Sequence, residues 1–186
     1  MNRSRRAAFG AALLAACLGT GLIAGASASA SRGDAKAGTK TATFEGGFRN
    51  LRLVAPHQIR SGATLEIVND TDPNKIGPHT FSLVQRHVEP KTDAEQRKCE
   101  HFRLICREIG KWHHADPETG TVGVNPVHAG HAGWNRKGNF DHEGDSWFTD
   151  QKGQTFSQEV TAKPGRTLWF VCAVHPWLQG KIRVVR

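Results

Sequence analysis

The segment that decides the fold is residues 168–185, LWFVCAVHPWLQGKIRVV. Apolar residues alternate with other residues on both sides of a short central loop. Because successive side chains on a strand point to opposite faces, Leu168, Phe170 and Cys172 share one face. The pattern predicts two strands joined by a tight loop, with the Cys172 thiol directed into the core and His175 in the loop.

A second histidine with the same inward character lies upstream. In residues 77–84, GPHTFSLV, His79 is in phase with Phe81 and Leu83. One thiolate and two imidazoles form the ligand set of a trigonal blue-copper site, because soft sulfur and borderline nitrogen bind both oxidation states of copper. The sequence therefore predicts that His79 joins the thiol and the loop histidine in one metal site.

These two segments resemble the ligand segments of the cupredoxins, the family of type 1 blue-copper proteins. The resemblance covers residues 41–85 and 152–186, and the short loop after the cysteine is most similar to that of amicyanin. The matching residues are Gly77, Pro78, His79, Thr80, Phe81, Cys172, His175, Gly180, Ile182 and Val184.

The resemblance implies an all-β Greek-key sandwich of seven or eight strands. It also implies that His79, Cys172 and His175 are the equatorial ligands of one copper ion. A rigid site of this kind carries single electrons, so the resemblance implies an electron carrier that shuttles between redox partner proteins.

Two further expectations concern the ligand loop. The exposed edge of His175, flanked by Pro176 and Trp177, is the expected exit for the electron. Leu178 stands where the family usually places an axial methionine. A non-coordinating axial residue leaves copper nearly three-coordinate, which favours Cu(I) and raises the reduction potential.

The first thirty residues have the pattern of a cleaved export signal, with a basic start, an apolar middle and an Ala-Ser-Ala end. Soluble export to the periplasm or the exterior is expected. Arg5 and Arg6 leave a twin-arginine signal open. Residues 14–17 also match a lipoprotein cleavage box, so a lipid anchor at Cys17 is the alternative.

The remaining chain is expected to hold a flexible leader, residues 31–40, and one domain, residues 41–186. Removal of residues 1–30 takes away three arginines and no acid, which lowers the formal charge from +8 to +5. A moderately basic surface favours encounter with an acidic redox partner. Cations and acids are interleaved, so nucleic-acid binding is not expected, and no later apolar run is long enough for a membrane span.

An insertion at residues 86–152 separates the two family-like segments. A capping-box pattern at residues 92–95 predicts a helix, and Cys99 and Cys106 suggest a disulfide in an exported protein. A continuous helix would place their α carbons about 10.5 Å apart, whereas a disulfide spans at most about 7 Å. The helix is therefore predicted to break near residues 100–102, with two reduced thiols on an unbroken helix as the alternative.

The rest of the insertion is expected to be irregular. Residues 145–149, DSWFT, are expected to dock it onto the sandwich through aromatic side chains. Its loop histidines could bind a second metal ion, but no carboxylate or thiol accompanies them at a fixed spacing, and a solvated loop is the competing interpretation. These histidines are His113, His114, His128 and His131.

The main functional prediction is an exported type 1 copper electron carrier. Copper capture or delivery and a metal-free interaction module are the alternatives. An enzyme is not expected, since multicopper enzymes need further metal sites, and the chain has neither His-x-His pairs nor a Ser/His/Asp constellation.

Overall fold

The computed structural model describes residues 38–115 and 124–186. The predicted export signal and most of the predicted leader lie outside these residues. The first strand begins at Thr39, two residues before the expected start of the domain. The strands are β1 (Thr39–Glu45), β2 (Arg52–Val54), β3 (Gln58–Arg60), β4 (Thr64–Asn69), β5 (His79–Val84), β6 (His128–Ala129), β7 (Ser146–Thr149), β8 (Thr155–Glu159), β9 (Thr167–Val171) and β10 (Gln179–Val185), and the helices are α1 (Pro73–Ile76), α2 (Asp93–Glu100) and α3 (Leu104–Trp112).

The strands form two mixed sheets that pack face to face. One sheet has the order β2-β1-β4-β8, and the other has the order β3-β10-β9-β5-β7-β6. Pairing is antiparallel except between β1 and β4 and between β3 and β10. The main core combines both inner faces, for example Phe44 and Ile67 from the first sheet with Phe81 and Phe170 from the second. The predicted β-sandwich is confirmed, with ten strands in the described residues rather than seven or eight.

The helices of the insertion cover the outer face of the larger sheet. A second core joins Val84 and Val171 of that sheet to Ile105 and Ile109 of α3 and to the disulfide. This explains why all six residues of β5 are buried, since both faces of that strand are covered. The strand that begins with His79 is thereby held from two sides.

The two short helices follow from the local sequence. The Thr92 hydroxyl accepts from the backbone N–H of Glu95, and the Glu95 carboxylate accepts from the N–H of Thr92, so α2 begins with a complete capping box. The chain turns at residues 101–103, where Phe102 has a φ of 51°. Cys99 and Cys106 form a disulfide with α carbons 5.2 Å apart. The helix therefore breaks where the geometry of a disulfide requires it to.

The insertion also supplies part of the sandwich, which the sequence interpretation missed. Residues 146–149 do not dock from outside. They form β7, which pairs with β5 and places Thr149 opposite His79 and Trp147 opposite Phe81. β6 extends the same sheet through β7. These strands are only two and four residues long and lie in a segment rich in glycine and polar residues. Their alternation of apolar and polar side chains is therefore too short to predict a strand from the sequence.

A buried chain of hydrogen bonds ties α3 to this sheet. His113 follows α3, and its ring nitrogens contact the Pro126 carbonyl and the Ser146 hydroxyl, each at 2.8 Å. Ser146 contacts Ser82 at 2.7 Å, and Ser82 donates to Thr80 at 3.0 Å. All of these side chains are nearly inaccessible to solvent, so each depends on its neighbour for a hydrogen-bond partner.

We expect Ser146→Ala to destabilise the protein by about 1–3 kcal/mol, because it leaves the buried Nε2 of His113 without a partner and removes one of the two contacts of the buried Ser82 hydroxyl. Urea unfolding followed by circular dichroism measures the change. Ser157→Ala is the matched control, since its hydroxyl makes one long, exposed contact with Glu66. Equal stability of the two variants would show that the buried chain does not hold the insertion in place.

Candidate metal centre

The structure brings His79, Cys172 and His175 together at one end of the sandwich. His79 opens β5, Cys172 directly follows β9, and these two strands are neighbours in the larger sheet. The Cys172 sulfur lies 4.0 Å from Nδ1 of His79 and 3.9 Å from Nδ1 of His175. One ligand atom from each residue lies within 4.8 Å of the others. The sequence therefore predicted which three side chains converge.

The three groups are buried and uncharged before a metal binds. Burial, and then the neighbouring His175, lowers the pKa of His79 to about 3. Burial also lowers the pKa of His175 and raises the pKa of the Cys172 thiol. A thiol with a raised pKa is a poor nucleophile, so the cysteine does not suit covalent catalysis. A metal ion held by this group would bind the thiolate and release the thiol proton.

The orientation of His79 is fixed by its second ring nitrogen. Nε2 lies 2.9 Å from the Thr71 hydroxyl oxygen, and that hydroxyl donates to the side-chain oxygen of Asn69 at 2.6 Å. Because the hydroxyl proton is already used, Nε2 must be the donor to Thr71. Nδ1 is then the unprotonated nitrogen, and it faces the thiol.

The same arrangement holds for His175, although its partner is backbone. Its Nε2 lies 2.7 Å from the Ile76 carbonyl oxygen, which can only accept. Ile76 ends α1, and the following Gly77 has a φ of 82°, which only glycine adopts without strain. This turn brings the carbonyl against the ring, so Nδ1 of His175 is also free to bind a metal.

Thr80 fixes the position of Cys172 through two hydrogen bonds, one to its sulfur and one to the backbone of the next residue. Its backbone N–H donates to the Cys172 sulfur at 3.4 Å, and its hydroxyl accepts from the backbone N–H of Ala173 at 2.9 Å. Phe44 from the other sheet stacks on the His79 ring with the centroids 4.5 Å apart. The ligands are thus held by both sheets before any metal binds.

Leu178 closes the ligand loop. Its N–H donates to the His175 carbonyl at 2.8 Å, and its carbonyl accepts from the N–H of Cys172 at 2.9 Å. The side chain is buried in the main core. The side-chain amide of Gln179, the next residue, donates to the carbonyls of Pro90 and Pro176. The backbone of the leucine is therefore fixed to both ligand residues of the loop.

His175 is more buried than expected from the sequence, and its role as the electron exit stays a prediction. The residue is only 8% exposed, and Nε2, which would face solvent, is covered by the Ile76 carbonyl. Pro176 is also buried, whereas Trp177 is 46% exposed. The Trp177 ring stands edge-on to the His175 ring with the centroids 5.2 Å apart. Trp177 is therefore an exposed aromatic side chain that contacts one of the three converging residues.

The donor set fits copper. For ligand bonds of about 2.0–2.3 Å, a trigonal site separates its ligand atoms by roughly 3.5–4 Å, close to the two sulfur–nitrogen distances. One thiolate and two imidazoles in a trigonal plane is the type 1 arrangement. Both imidazoles have the second hydrogen bond that orients metal-binding histidines.

In the described residues the loop histidines join no group of three or more potential metal ligands. Within residues 38–115 and 124–186, His79, Cys172 and His175 are the one group of three potential ligands that lie close together. His113 is buried in the hydrogen-bond chain above, and His128 contacts the Gln158 amide and stacks on Phe156. His113 and His128 are therefore packing and hydrogen-bonding residues.

We expect Thr71→Val to lower copper affinity by about 10–100-fold, the usual effect of losing the partner of a metal-bound histidine. Without the hydroxyl, His79 Nε2 has no acceptor and the ring loses its fixed tautomer. Competition with a coloured copper chelator measures the affinity. Thr41→Val, which removes an exposed hydroxyl that contacts Glu66, is the control, and an unchanged affinity in Thr71→Val would contradict this role.

Sequence reasoning missed Thr71, Ile76 and Thr80 as parts of the site. Asn69 is in phase with the inward residues of β4, and its side-chain oxygen accepts from the backbone N–H and the hydroxyl of Thr71. The other contacts depend on α1, which brings residues 71–77 against the ligand loop. The Asx and proline residues at positions 70–74 are typical of a turn, and this pattern does not reveal the contact.

The comparisons with known proteins concern the fold. No protein-family model matches the chain, and no curated protein sequence matches it. A dithionite-reduced auracyanin from the photosynthetic bacterium Roseiflexus castenholzii is 12% identical, with 80% of this chain and 97% of that chain covered and a TM-score of 0.43. An auracyanin B structure is also 12% identical, with 81% and 91% covered and a TM-score of 0.42.

These values carry no inference about the metal centre, which rests on the contacts of this chain. No helix in the described part of the chain is long and apolar enough to cross a membrane. The fold is a cupredoxin-like β-sandwich of two mixed sheets with a helical insertion after β5. The histidine that opens β5 and the Cys–His loop between the last two strands lie together in it.

Proposed function

We propose that this chain is an exported type 1 copper protein that carries single electrons between redox partner proteins. The observation that supports the proposal most strongly is the geometry of the ligand group. A buried thiol and two imidazole nitrogens lie within 4.8 Å of one another, and each imidazole is oriented by a hydrogen bond from its other nitrogen.

A bound copper ion would supply a one-electron couple between Cu(I) and Cu(II). The chain fixes the positions of the three ligand side chains before copper binds. Thr80 holds the sulfur, Thr71 and Ile76 hold the rings, and both sheets enclose the group. Because none of these contacts depends on the oxidation state, the ligands have little freedom to rearrange, and little rearrangement makes electron transfer fast.

The absence of an axial methionine is part of the same proposal. We assign the axial position to Leu178, whose backbone is bonded to both ligand residues of the loop and whose side chain cannot coordinate. Loss of a weak thioether donor disfavours Cu(II), so the reduction potential is expected to be high for a site of this type.

The burial of the ligands separates electron transfer from copper delivery. A delivery protein must release its metal to another protein through accessible ligands, whereas His79 and Cys172 are fully buried here. A metal-free interaction module would not need two imidazoles held in the metal-binding tautomer.

Export to the periplasm or the exterior, with or without a lipid at Cys17, completes the proposal, and the disulfide is consistent with an oxidising compartment.

Protein-film voltammetry of the copper-loaded protein tests the proposal. We expect one reversible one-electron wave that scales with one copper per chain. An irreversible wave, accompanied by copper loss on reduction, would instead support delivery. The Thr71→Val variant with copper restored at excess provides an internal comparison, because a looser His79 ring should slow the electron exchange.

Trp177→Ala is expected to slow electron exchange between copies of the protein by about tenfold, the effect of losing about 1.4 kcal/mol of contact free energy at an aromatic contact residue. The substitution removes the exposed ring that adjoins His175. NMR line broadening in mixtures of the two oxidation states measures the rate. Phe140→Ala, at a 52% exposed aromatic residue in the insertion, is the control, and an equal effect of both variants would exclude a specific role for Trp177.

A further inference from the structure

The described surface has one strongly cationic groove, and it is separate from the metal centre. Its volume is about 980 Å³. Three chain segments form it: the residues that follow β5, the loop at residues 131–137, and the turn that leads into β9. The cations that line it are Arg86, Lys91, Arg136, Lys137 and Arg166.

These cations form no ion pair with a carboxylate among the described residues. None of the ion pairs of residues 38–115 and 124–186 includes any of them. Asp145 is the one carboxylate that lines the groove, and its two oxygens accept from the backbone N–H groups of His131, Asn135 and Arg136. It is fully buried and serves to hold the loop, so the groove keeps a large excess of positive charge.

The neighbouring groups do not remove this excess. Glu89 lies near Arg86 and Lys91, but burial raises its pKa to about 7, so it carries only part of a charge at neutral pH. Lys137 is half-buried, and burial together with the nearby Arg166 lowers its pKa. Cations that lie close together and are partly shielded from water repel one another, which raises the free energy of the folded protein. A bound anion would offset this repulsion.

Trp169 forms the apolar part of the groove. Arg86 lies over its ring at 5.0 Å from the centroid, and Lys181 lies at 5.2 Å. Trp169 belongs to β9, the strand that leads directly to Cys172, and three residues of strand span about 10 Å. A molecule bound in the groove would therefore contact the strand that carries the metal-binding sulfur.

We propose that this groove is the docking site for an acidic segment of the electron-transfer partner. The proposal rests on the function proposed above and names the chemistry of the partner. An extended segment fits better than a small anion, since the groove is open and its cations are long side chains spread over three segments. The backbone N–H groups that would grip a compact anion are already bound to Asp145.

Fluorescence anisotropy with a fluorescein-labelled peptide of ten glutamates tests the proposal on the copper-free protein. We expect binding that weakens with salt and falls about fivefold in the double variant Lys137→Gln, Arg166→Gln, as expected for the loss of one exposed and one half-buried charge contact. The control, Arg49→Gln with Lys98→Gln, removes the same charge elsewhere and should change affinity by less than about twofold. The Trp169 indole N–H resonance should shift on binding.

Three results would overturn the proposal. They are absence of peptide binding, equal weakening by both double variants, and complete displacement of the peptide by an equal concentration of citrate, which would indicate a small-anion site. The measurement requires no copper. If the chain binds the peptide but forms no copper site, the proposed electron-transfer function is contradicted and the acidic-segment site remains. If it forms a copper site but does not bind the peptide, only the docking proposal is contradicted.

Discussion

Cys172→Ser is expected to abolish the intense visible absorption of the copper-loaded protein while the sandwich stays folded. That absorption requires a copper–thiolate bond, and Cys172 is the free cysteine among the described residues. A serine hydroxyl is smaller than the thiol and can still accept from the Thr80 N–H, so we expect a stability loss below about 2 kcal/mol. Loss of a hydrogen bond that supports a ligand lowers metal affinity by about 10–100-fold, and loss of the thiol ligand itself should lower copper affinity further.

Absorption and circular dichroism spectra of the variant with excess Cu(II) give the result. The double variant Cys99→Ser, Cys106→Ser is the matched control, because it loses the disulfide in the second core and keeps all three ligands. It should unfold more easily, by about 2–4 kcal/mol, and keep its colour. Intense colour in Cys172→Ser would show that the thiol is not a ligand.

Leu178→Met is expected to lower the reduction potential by at least about 59 mV, which corresponds to a tenfold change in the relative binding of Cu(II) and Cu(I) for a one-electron couple. Methionine has nearly the volume of leucine, so the core should accept it at little cost. The loop backbone is fixed by hydrogen bonds on both sides of residue 178. The new thioether therefore enters a site whose other ligands do not move, and axial donation favours Cu(II).

Redox titration of the variant gives the potential, and its absorption spectrum reports any change in ligation. Leu168→Met is the control, since Leu168 lies in the same core on the strand that leads to the site but not in the ligand loop. That variant should leave the potential within about 20 mV, a third of the change given by a tenfold effect. If the potential is the same in both variants, Leu178 is not the axial residue.

The convergence of the three ligands could be predicted because it depends on local rules. Alternation along β5 and β9 sets which side chains face inward, and a two-residue spacer between Cys172 and His175 leaves the loop few conformations. The break between α2 and α3 could also be predicted, since a disulfide cannot close across seven residues of continuous helix. The amicyanin-like character of the loop stays a prediction.

The surroundings of the ligands could not be predicted, because they depend on contacts between distant segments. The burial of His175 depends on the Ile76 carbonyl, which lies 99 residues away in sequence. The assignment of residues 146–149 to the sheet depends on pairing with β5, and the short pattern SWFT does not reveal it. The cationic groove joins three segments whose charges look scattered along the chain.

These contacts also explain why the metal centre and the insertion are mechanically connected. β5 carries His79, pairs with β9 beside Cys172, and pairs with β7 from the insertion. The helices then close the outer face of the same sheet. The insertion is therefore a support for the ligand-bearing strands and not only an addition to them.

The measurement that tests the central claim most directly is a visible absorption titration of purified residues 31–186 with Cu(II). The account predicts an intense thiolate-to-copper charge-transfer band that saturates at one equivalent of copper and disappears on reduction. Weak binding of several equivalents without such a band would contradict a type 1 site at His79, Cys172 and His175.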